Sequence, residues 1–183
     1  VILGFVPSAS LALVPRAVAH LRRVLPDVSV TPREMMSFEQ VEALNAGSLD
    51  IAVMRLPRKQ QPFTMTKIWS ESFMLAIPKD HLLASAEKVS VQDLNGQPMI
   101  GYSTERGGFL QEITSGFFNS AGIAPDVRYT VSQSHTIMSL VNAGLGIGLV
   151  PRSCALICMK NTVMRETVLP DALRSDLYMA LGP

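Results

Sequence analysis

Short apolar runs alternate along this chain with segments in which apolar residues recur at helical spacing. Runs of strand length occur at Val1–Val6, from Val28 onward, and at Asp50–Met54. Between them, helical spacing extends to about Val24 and then covers Phe38–Ala46. This alternation is typical of α/β folds, in which helices connect parallel strands. It predicts one βαβαβ unit that is complete by residue 55.

The second half of the chain repeats this pattern. Strands are predicted at Phe73–Ile77, Pro98–Tyr102, Val127–Val131, Gly148–Val150 and Leu177–Leu181. Helices are predicted at Phe109–Ala121 and Ile137–Ala143, each ended by a glycine, with short helical turns at Asp80–Ala84 and Val91–Leu94 and a further helix near Cys154. The series Gly144-Leu145-Gly146-Ile147-Gly148 has glycines like those of a dinucleotide loop, but such a loop follows a strand and opens a helix. Here the order is reversed, which favours a helix end and a tight turn into a strand.

Polar side chains follow three consecutive predicted strands. Ser8 and Ser10 follow the first strand, Ser37 follows the second and Arg55 the third. Ligands of open α/β sheets bind outside the carboxyl ends of the strands, and a guanidinium suits a carboxylate or a phosphate. Arg55 is therefore a candidate anion clamp, and Ser37 stands where an N-cap belongs. In the alternative interpretation, Arg55 pairs with a surface carboxylate and the serines merely cap helices.

The composition narrows the class of protein. The chain has 183 residues, of which 48% are hydrophobic and 17% charged, so it is expected to fold as a soluble globular body of one domain or two small ones. No apolar stretch approaches the ~20 uncharged residues of a membrane span. The net charge is +1 and the sixteen basic residues are scattered, which provides no surface for wrapping a polyanion such as DNA. The first residues, Val1-Ile2-Leu3, already form a strand rather than a signal peptide, so we expect the chain to be cut from something longer.

Cys154 and Cys158 are the two cysteines, four residues apart in a segment predicted as helix. Structural zinc usually needs four ligands, and no histidine is near enough in sequence to complete a set. The favoured interpretation is core packing of two free thiols in a reducing compartment. Redox sensing and metal binding remain as alternatives.

Features of a catalytic site are absent from the sequence. No nucleophile elbow of the form G-x-S-x-G occurs, and spacing alone does not place His135 beside Ser8. His135 precedes a predicted helix and is interpreted either as a surface or capping residue or as part of a ligand cleft. We expect no enzymatic activity and no cofactor.

Four ordered stretches of the chain carry motifs of a known family. They are Leu3-Gly4-Phe5-Val6 with Leu13-Val14-Pro15 and Leu25-Pro26-Asp27-Val28; Leu44 to Ala52; Phe73 to Pro78 with His81-Leu82-Leu83-Ala84; and Val141 to Pro151. In this order they resemble the effector-binding domain of LysR-type transcriptional regulators, although Leu82 replaces the usual proline after the histidine. The likeness covers nearly the whole chain.

This resemblance implies an α/β fold like the periplasmic binding proteins of type II, with two Rossmann-like subdomains and an effector cleft between them. The first subdomain would comprise residues 1–72 and 175–183, and the second residues 73–174. The resemblance also implies that the N-terminal winged helix-turn-helix, which would carry DNA binding, is absent from this chain. It further implies a cytoplasmic protein that forms homodimers, and tetramers at full length. The stripe of Arg16, His20 and Arg23 would serve such an interface or be a solvated helix face.

The resemblance is closest to the family members that govern aromatic degradation and sense muconate, benzoate and similar small carboxylates. It is carried by Phe5-Val6-Pro7-Ser8, Met35-Met36-Ser37 and Met54-Arg55. It implies that Ser8, Ser37 and Arg55 line the effector site, with Ser37 in place of the expected threonine and Pro7 in place of a small residue.

The loop before the helix at 109 supplies further candidates. Gly107, Gly108 and Phe109 occupy positions where relatives place backbone donors and an apolar wall; a plain loop before a helix is the alternative. Ser10 and His135 complete the candidate set. The expected ligand is an aromatic or dicarboxylic acid, and the alternative to a regulator is a solute-binding protein for a small anion.

Overall fold

The computed structural model describes residues 1–57, 59–105 and 108–182. They divide into two compact units. The first unit contains Val1–Ser70 and the segment that starts at Asp176, and the second contains Glu71–Ser175. The chain therefore passes between the units twice, after Ser70 and after Ser175.

Ten strands, four α-helices and four short 3₁₀ helices make up the described chain. The strands are β1 (Ile2–Phe5), β2 (Thr31–Glu34), β3 (Ile51–Met54), β4 (Met65–Glu71), β5 (Phe73–Pro78), β6 (Pro98–Tyr102), β7 (Asp126–Val131), β8 (Gly148–Pro151), β9 (Thr162–Arg165) and β10 (Ser175–Leu181). The α-helices are α1 (Leu13–Val24), α2 (Ser37–Asn45), α3 (Gly108–Ser120) and α4 (Ser134–Asn142). The 3₁₀ helices are Pro7–Ser10, Leu82–Ser85, Gln92–Leu94 and Arg152–Leu156.

The first unit is built on one five-stranded sheet with the order β2-β1-β3-β10-β4. β1 pairs in parallel with both β2 and β3, and β10 returns antiparallel to β3. The predicted βαβαβ unit is therefore present, and it places the carboxyl ends of β1, β2 and β3 at one edge of the sheet. Its core is apolar and includes Leu3, Leu44, Ala52 and Met54, which are all 6% exposed or less.

The prediction of a strand from Val28 needs a correction. β2 is only Thr31–Glu34, and all four of its residues are exposed. It lies at the edge of the sheet, where one of its sides has no neighbouring strand, so Pro32 is tolerated despite its missing N–H. The sequence pattern also did not predict the edge strand β4, since all seven of its residues are polar or only half-buried.

The second unit repeats the strand order of the first. β6 pairs in parallel with β7, and an isolated parallel bridge between Met99 and Ile147 places the start of β8 on the other side of β6. β8 then pairs antiparallel with β5, which pairs antiparallel with β9. The mixed α/β class is thus confirmed, although β9 was not predicted. Pairing between distant segments, rather than local spacing, forms this strand.

The predicted helix ends are confirmed at three glycines. Gly47, Gly122 and Gly144 follow α2, α3 and α4 with φ of 66°, 67° and 80°. This left-handed conformation is strained for residues with a Cβ, so glycine ends each helix at low cost. The glycine series that begins at Gly144 is therefore a turn from α4 into β8. Among the described residues, no helix is long and apolar enough to cross a membrane.

Candidate functional site

Arg55 directly follows β3 and is 6% exposed. Its backbone N–H donates to Oγ of Ser37 over 3.1 Å. Ser37 is the first residue of α2, because the chain leaves the edge strand β2 and turns into this helix. The end of one strand and the start of the preceding helix are therefore held together at this bond.

The guanidinium of Arg55 contacts two further segments. One terminal nitrogen donates to Oγ of Ser8 over 2.8 Å, and the other donates to the backbone carbonyl of Asp176 over 2.8 Å. Ser8 lies in the 3₁₀ helix that follows β1, and Asp176 lies at the start of β10. Three residues from consecutive strand ends, Ser8, Ser37 and Arg55, are thus brought together within one unit. We call them the serine–arginine cluster.

Arg55 fixes the hydrogen-bonding roles of the two serine hydroxyls in the cluster. Each serine oxygen accepts a hydrogen bond from Arg55, which leaves the O–H hydrogen of each serine to be donated elsewhere. No described residue accepts a hydrogen bond from either hydroxyl. Both serines are half-buried. The cluster therefore presents two hydroxyl donors, one oriented by the buried guanidinium and one by the backbone N–H of Arg55, an arrangement suited to an anion.

Neither serine acts as the helix cap that the sequence suggested. The N-cap of α2 is Met36, not Ser37, and no side-chain cap bond forms at the 3₁₀ helix that contains Ser8. The first turn of α2 is stabilised instead by Glu39, whose carboxylate accepts a hydrogen bond from the backbone N–H of Met36 over 2.6 Å. The predicted capping role of Ser37 is wrong because its oxygen is directed to the backbone of Arg55.

Gln40 is a buried polar residue that the sequence analysis missed. It lies one turn after Ser37 on α2 and is 0% exposed. Its Nε2 donates to the carbonyls of Met35 and Val53 over 3.0 and 3.2 Å, and its Oε1 accepts from the backbone N–H of Val53 over 3.0 Å. These bonds tie α2 to β3 and so set the separation of Ser37 from Arg55. A glutamine within an amphipathic helix gives no local signal of this role.

Asp176 has a second link, to a residue on β4. Its Oδ2 lies 3.0 Å from Nζ of Lys67, with side chains that are 18% and 52% exposed. Because β10 and β4 are neighbours in the sheet, this ion pair joins the two strands in which the chain passes between the units. Asp176 thus connects the serine–arginine cluster to both passages of the chain.

The other candidate residues lie outside the cluster. The hydroxyl of Ser10 donates to the carbonyl of Pro7 over 2.6 Å, which makes it part of a local turn. Gly108 and the half-buried Phe109 begin α3 in the second unit, and His135 is an exposed residue in the first turn of α4. Gly107 lies outside the described residues. Their proposed part in effector binding stays a prediction.

Each unit also contains a cavity, and no residue of the serine–arginine cluster lines either of the two. The cavity in the first unit has a volume of about 520 Å³ and lies between α2, β4 and β10, with Phe63 and Met179 in its wall. The cavity in the second unit has a volume of about 580 Å³ and lies beside α3, with Tyr102 and Thr130 in its wall. Size alone would favour either as a ligand site. The hydrogen-bonding chemistry instead favours the cluster, which combines oriented donors with a cation.

The two cysteines do not share a helix or an environment. Cys154 is buried in the 3₁₀ helix Arg152–Leu156, whereas Cys158 is exposed beyond its end. The prediction that both thiols pack in the core is therefore wrong for Cys158. No described group of three or more His, Cys, Asp and Glu residues could hold a metal ion.

Comparison with known proteins agrees with this architecture. A family model described as the LysR substrate binding domain matches residues 1–182. The HTH-type transcriptional regulator AlsR of Bacillus subtilis (strain 168) is 31% identical over 152 residues, which make up 83% of this chain and 50% of that protein. The Hca operon transcriptional activator HcaR of Escherichia coli (strain K12) is 27% identical over 149 residues, which make up 81% of this chain and 50% of that protein.

A solved structure extends the comparison to the fold. The BenM effector binding domain with its effector benzoate has a TM-score of 0.88 at 27% identity, covering 100% of this chain and 82% of that one. This chain spans about half the length of the curated relatives named above. These relatives are described as transcriptional regulators and not as enzymes. The resemblance inferred from the motifs is confirmed: the chain belongs to the LysR substrate-binding domain family.

Proposed function

We propose that this chain senses a small carboxylic acid for a LysR-type transcriptional regulator and binds its carboxylate at the serine–arginine cluster. The observation that carries the proposal is the pair of bonds from Arg55 to Ser8 and Ser37. A carboxylate oxygen is a strong acceptor for the two hydroxyl hydrogens. The buried guanidinium supplies positive charge behind them.

We propose for Arg55 a role different from that of a direct clamp. With only 6% of the residue exposed, the arginine acts mainly by orienting the two serines and by offsetting the charge of the ligand. The serines then make the contacts that select an anion. In this proposal, the cation lies beneath the site and the hydroxyls lie at its surface.

The ligand class is proposed as aromatic or dicarboxylic. The BenM domain, whose structure has the TM-score of 0.88, was solved with benzoate as its effector. We propose that Phe109 supplies an apolar wall, that Gly107 and Gly108 supply backbone donors, and that His135 and Ser10 lie at the margin of the site. A solute-binding role has no observation in its favour, since the named relatives are transcriptional regulators.

The full-length protein would couple this site to DNA. We propose that it acts in the cytoplasm as a homodimer or tetramer and contacts DNA through an N-terminal helix-turn-helix outside this chain. The effector can bias the regulator only through unequal affinity for two arrangements of the protein.

Isothermal titration calorimetry with benzoate and with cis,cis-muconate tests the carboxylate site. Hydrogen bonds to a charged group contribute about 1.5–3 kcal/mol, so Ser8→Ala and Ser37→Ala should each weaken binding of the recognised acid roughly 10- to 150-fold. Ser48→Ala is the matched control, because its exposed hydroxyl already donates to the carbonyl of Ala43 and it is not a candidate site residue. It should bind like the wild-type domain.

Two results would contradict the proposal. One is absence of saturable binding of both acids by the wild-type domain. The other is equal affinity of the Ser8→Ala, Ser37→Ala and Ser48→Ala variants. Arg55→Ala should abolish binding. Circular dichroism must show a folded domain, because this change also removes a donor from the partly buried carbonyl of Asp176.

A further inference from the structure

The two passages of the chain between the units lie in adjacent strands. β4 ends at the first passage, between Ser70 and Glu71, and β10 begins at the second, between Ser175 and Asp176. The two strands are neighbours in the first sheet. The two passages therefore lie in hydrogen-bonded neighbouring strands.

Side chains reinforce this pairing at the passages themselves. Lys67 on β4 forms its ion pair with Asp176 on β10 at 3.0 Å. On the other side, Arg55 donates to the backbone carbonyl of Asp176 at 2.8 Å. The main chain at the second passage is thus held by the same guanidinium that donates to Ser8 of the cluster, while the backbone N–H of Arg55 donates to Ser37.

We propose, on the basis of the proposed function, that Arg55 couples effector binding to the second passage. The coupling acts through the hydrogen bond that Arg55 donates to the carbonyl of Asp176. A carboxylate bound at Ser8 and Ser37 attracts the guanidinium and offsets its charge. Its hydrogen bond to the carbonyl of Asp176 is weakened as a result. Effector binding therefore loosens β10 and β4 where the chain passes between the units, and Lys67 opposes this loosening through its ion pair.

Thermodynamic linkage gives this mechanism an unusual consequence. If the effector loosens the passage, any change that loosens the passage in advance must increase effector affinity, by at most the factor by which that change shifts the equilibrium. Lys67→Met removes an exposed partner of Asp176 without touching the serines. Because exposed ion pairs contribute at most about 1 kcal/mol, the expected gain in benzoate or muconate affinity is up to about fivefold.

Calorimetry of the Lys67→Met variant and hydrogen exchange of the wild-type domain test the coupling together. The acid used is whichever of benzoate and muconate the wild-type domain binds. Binding should speed amide exchange at residues 68–71 and 175–177 and leave the central strand β5 unchanged. Arg128→Met is the matched control, since Arg128 is as exposed as Lys67 and forms an ion pair with Asp126 at 2.8 Å on β7. Its affinity for the acid should equal that of the wild-type domain.

The outcomes separate the coupling from the carboxylate site. If neither acid binds the wild-type domain, the proposed function fails and the coupling fails with it. If an acid binds but exchange at the passages is unchanged or slower, the coupling alone is overturned. Weakened binding by Lys67→Met would also overturn it, because a merely structural role of Lys67 lowers affinity and does not raise it.

Discussion

Replacing Gln40 with methionine tests how the cluster is held in position. Methionine has a similar length and no hydrogen-bonding amide, so the substitution keeps the volume and removes three bonds. The carbonyl of Val53 still accepts a hydrogen bond from the backbone N–H of Val6 over 3.0 Å in this variant. The N–H of Val53 and the carbonyl of Met35 each lose their bond to the Gln40 side chain.

The expected decrease in the free energy of unfolding follows from these two backbone groups. A buried polar group that loses its partner costs about 1–3 kcal/mol, so the two together cost about 2–6 kcal/mol. Burying a thioether in place of an amide recovers about 1–2 kcal/mol of this loss. The central values, about 4 kcal/mol lost and about 1.5 kcal/mol recovered, predict that Gln40→Met lowers the free energy of unfolding by about 2.5 kcal/mol.

Urea denaturation followed by circular dichroism measures this change, with the slope of the transition compared between variants. Gln61→Met is the control, because the amide of Gln61 donates to the carbonyl of Lys59 in an exposed loop. It should change stability by less than about 0.5 kcal/mol. An equally small effect of Gln40→Met would refute the assignment of Gln40 as the tie between α2 and β3. Benzoate or muconate affinity should fall with stability, because Ser37 and Arg55 would no longer be held at a fixed separation.

Two further predictions concern the second unit. Gly148→Ala should destabilise the domain by about 1–3 kcal/mol, because a Cβ at this position would lie 2.3 Å from Cγ2 of Ile137. Urea denaturation measures this change. An unchanged midpoint of the urea transition would show that α4 and β8 separate easily. Iodoacetamide should alkylate the exposed Cys158 in the native domain and the fully buried Cys154 only after denaturation. Mass spectrometry measures the labelling of each cysteine. Equal labelling rates would contradict the burial of Cys154.

Much of the fold was predictable from local pattern. Apolar runs and helical spacing predicted the βαβαβ order of the first unit and its repetition in the second, and glycines marked the ends of α2, α3 and α4. The edge strands β2, β4 and β9 were missed or given wrong bounds. An edge strand buries little surface and has a neighbour on one side, so its sequence need not carry an apolar run.

The sequence by itself determined which residues stand at the three strand ends, since parallel strands of one βαβαβ unit end at the same edge of the sheet. It therefore predicted that Ser8, Ser37 and Arg55 would be neighbours. The tertiary structure decided how they are arranged: Arg55 is buried, both serines accept its hydrogen bonds, and Asp176, 121 residues further along the chain, holds its guanidinium. Gln40 and Lys67 were equally invisible in the sequence. Local periodicity reports the face on which a side chain lies, whereas the partner of a polar group depends on segments that meet only after folding.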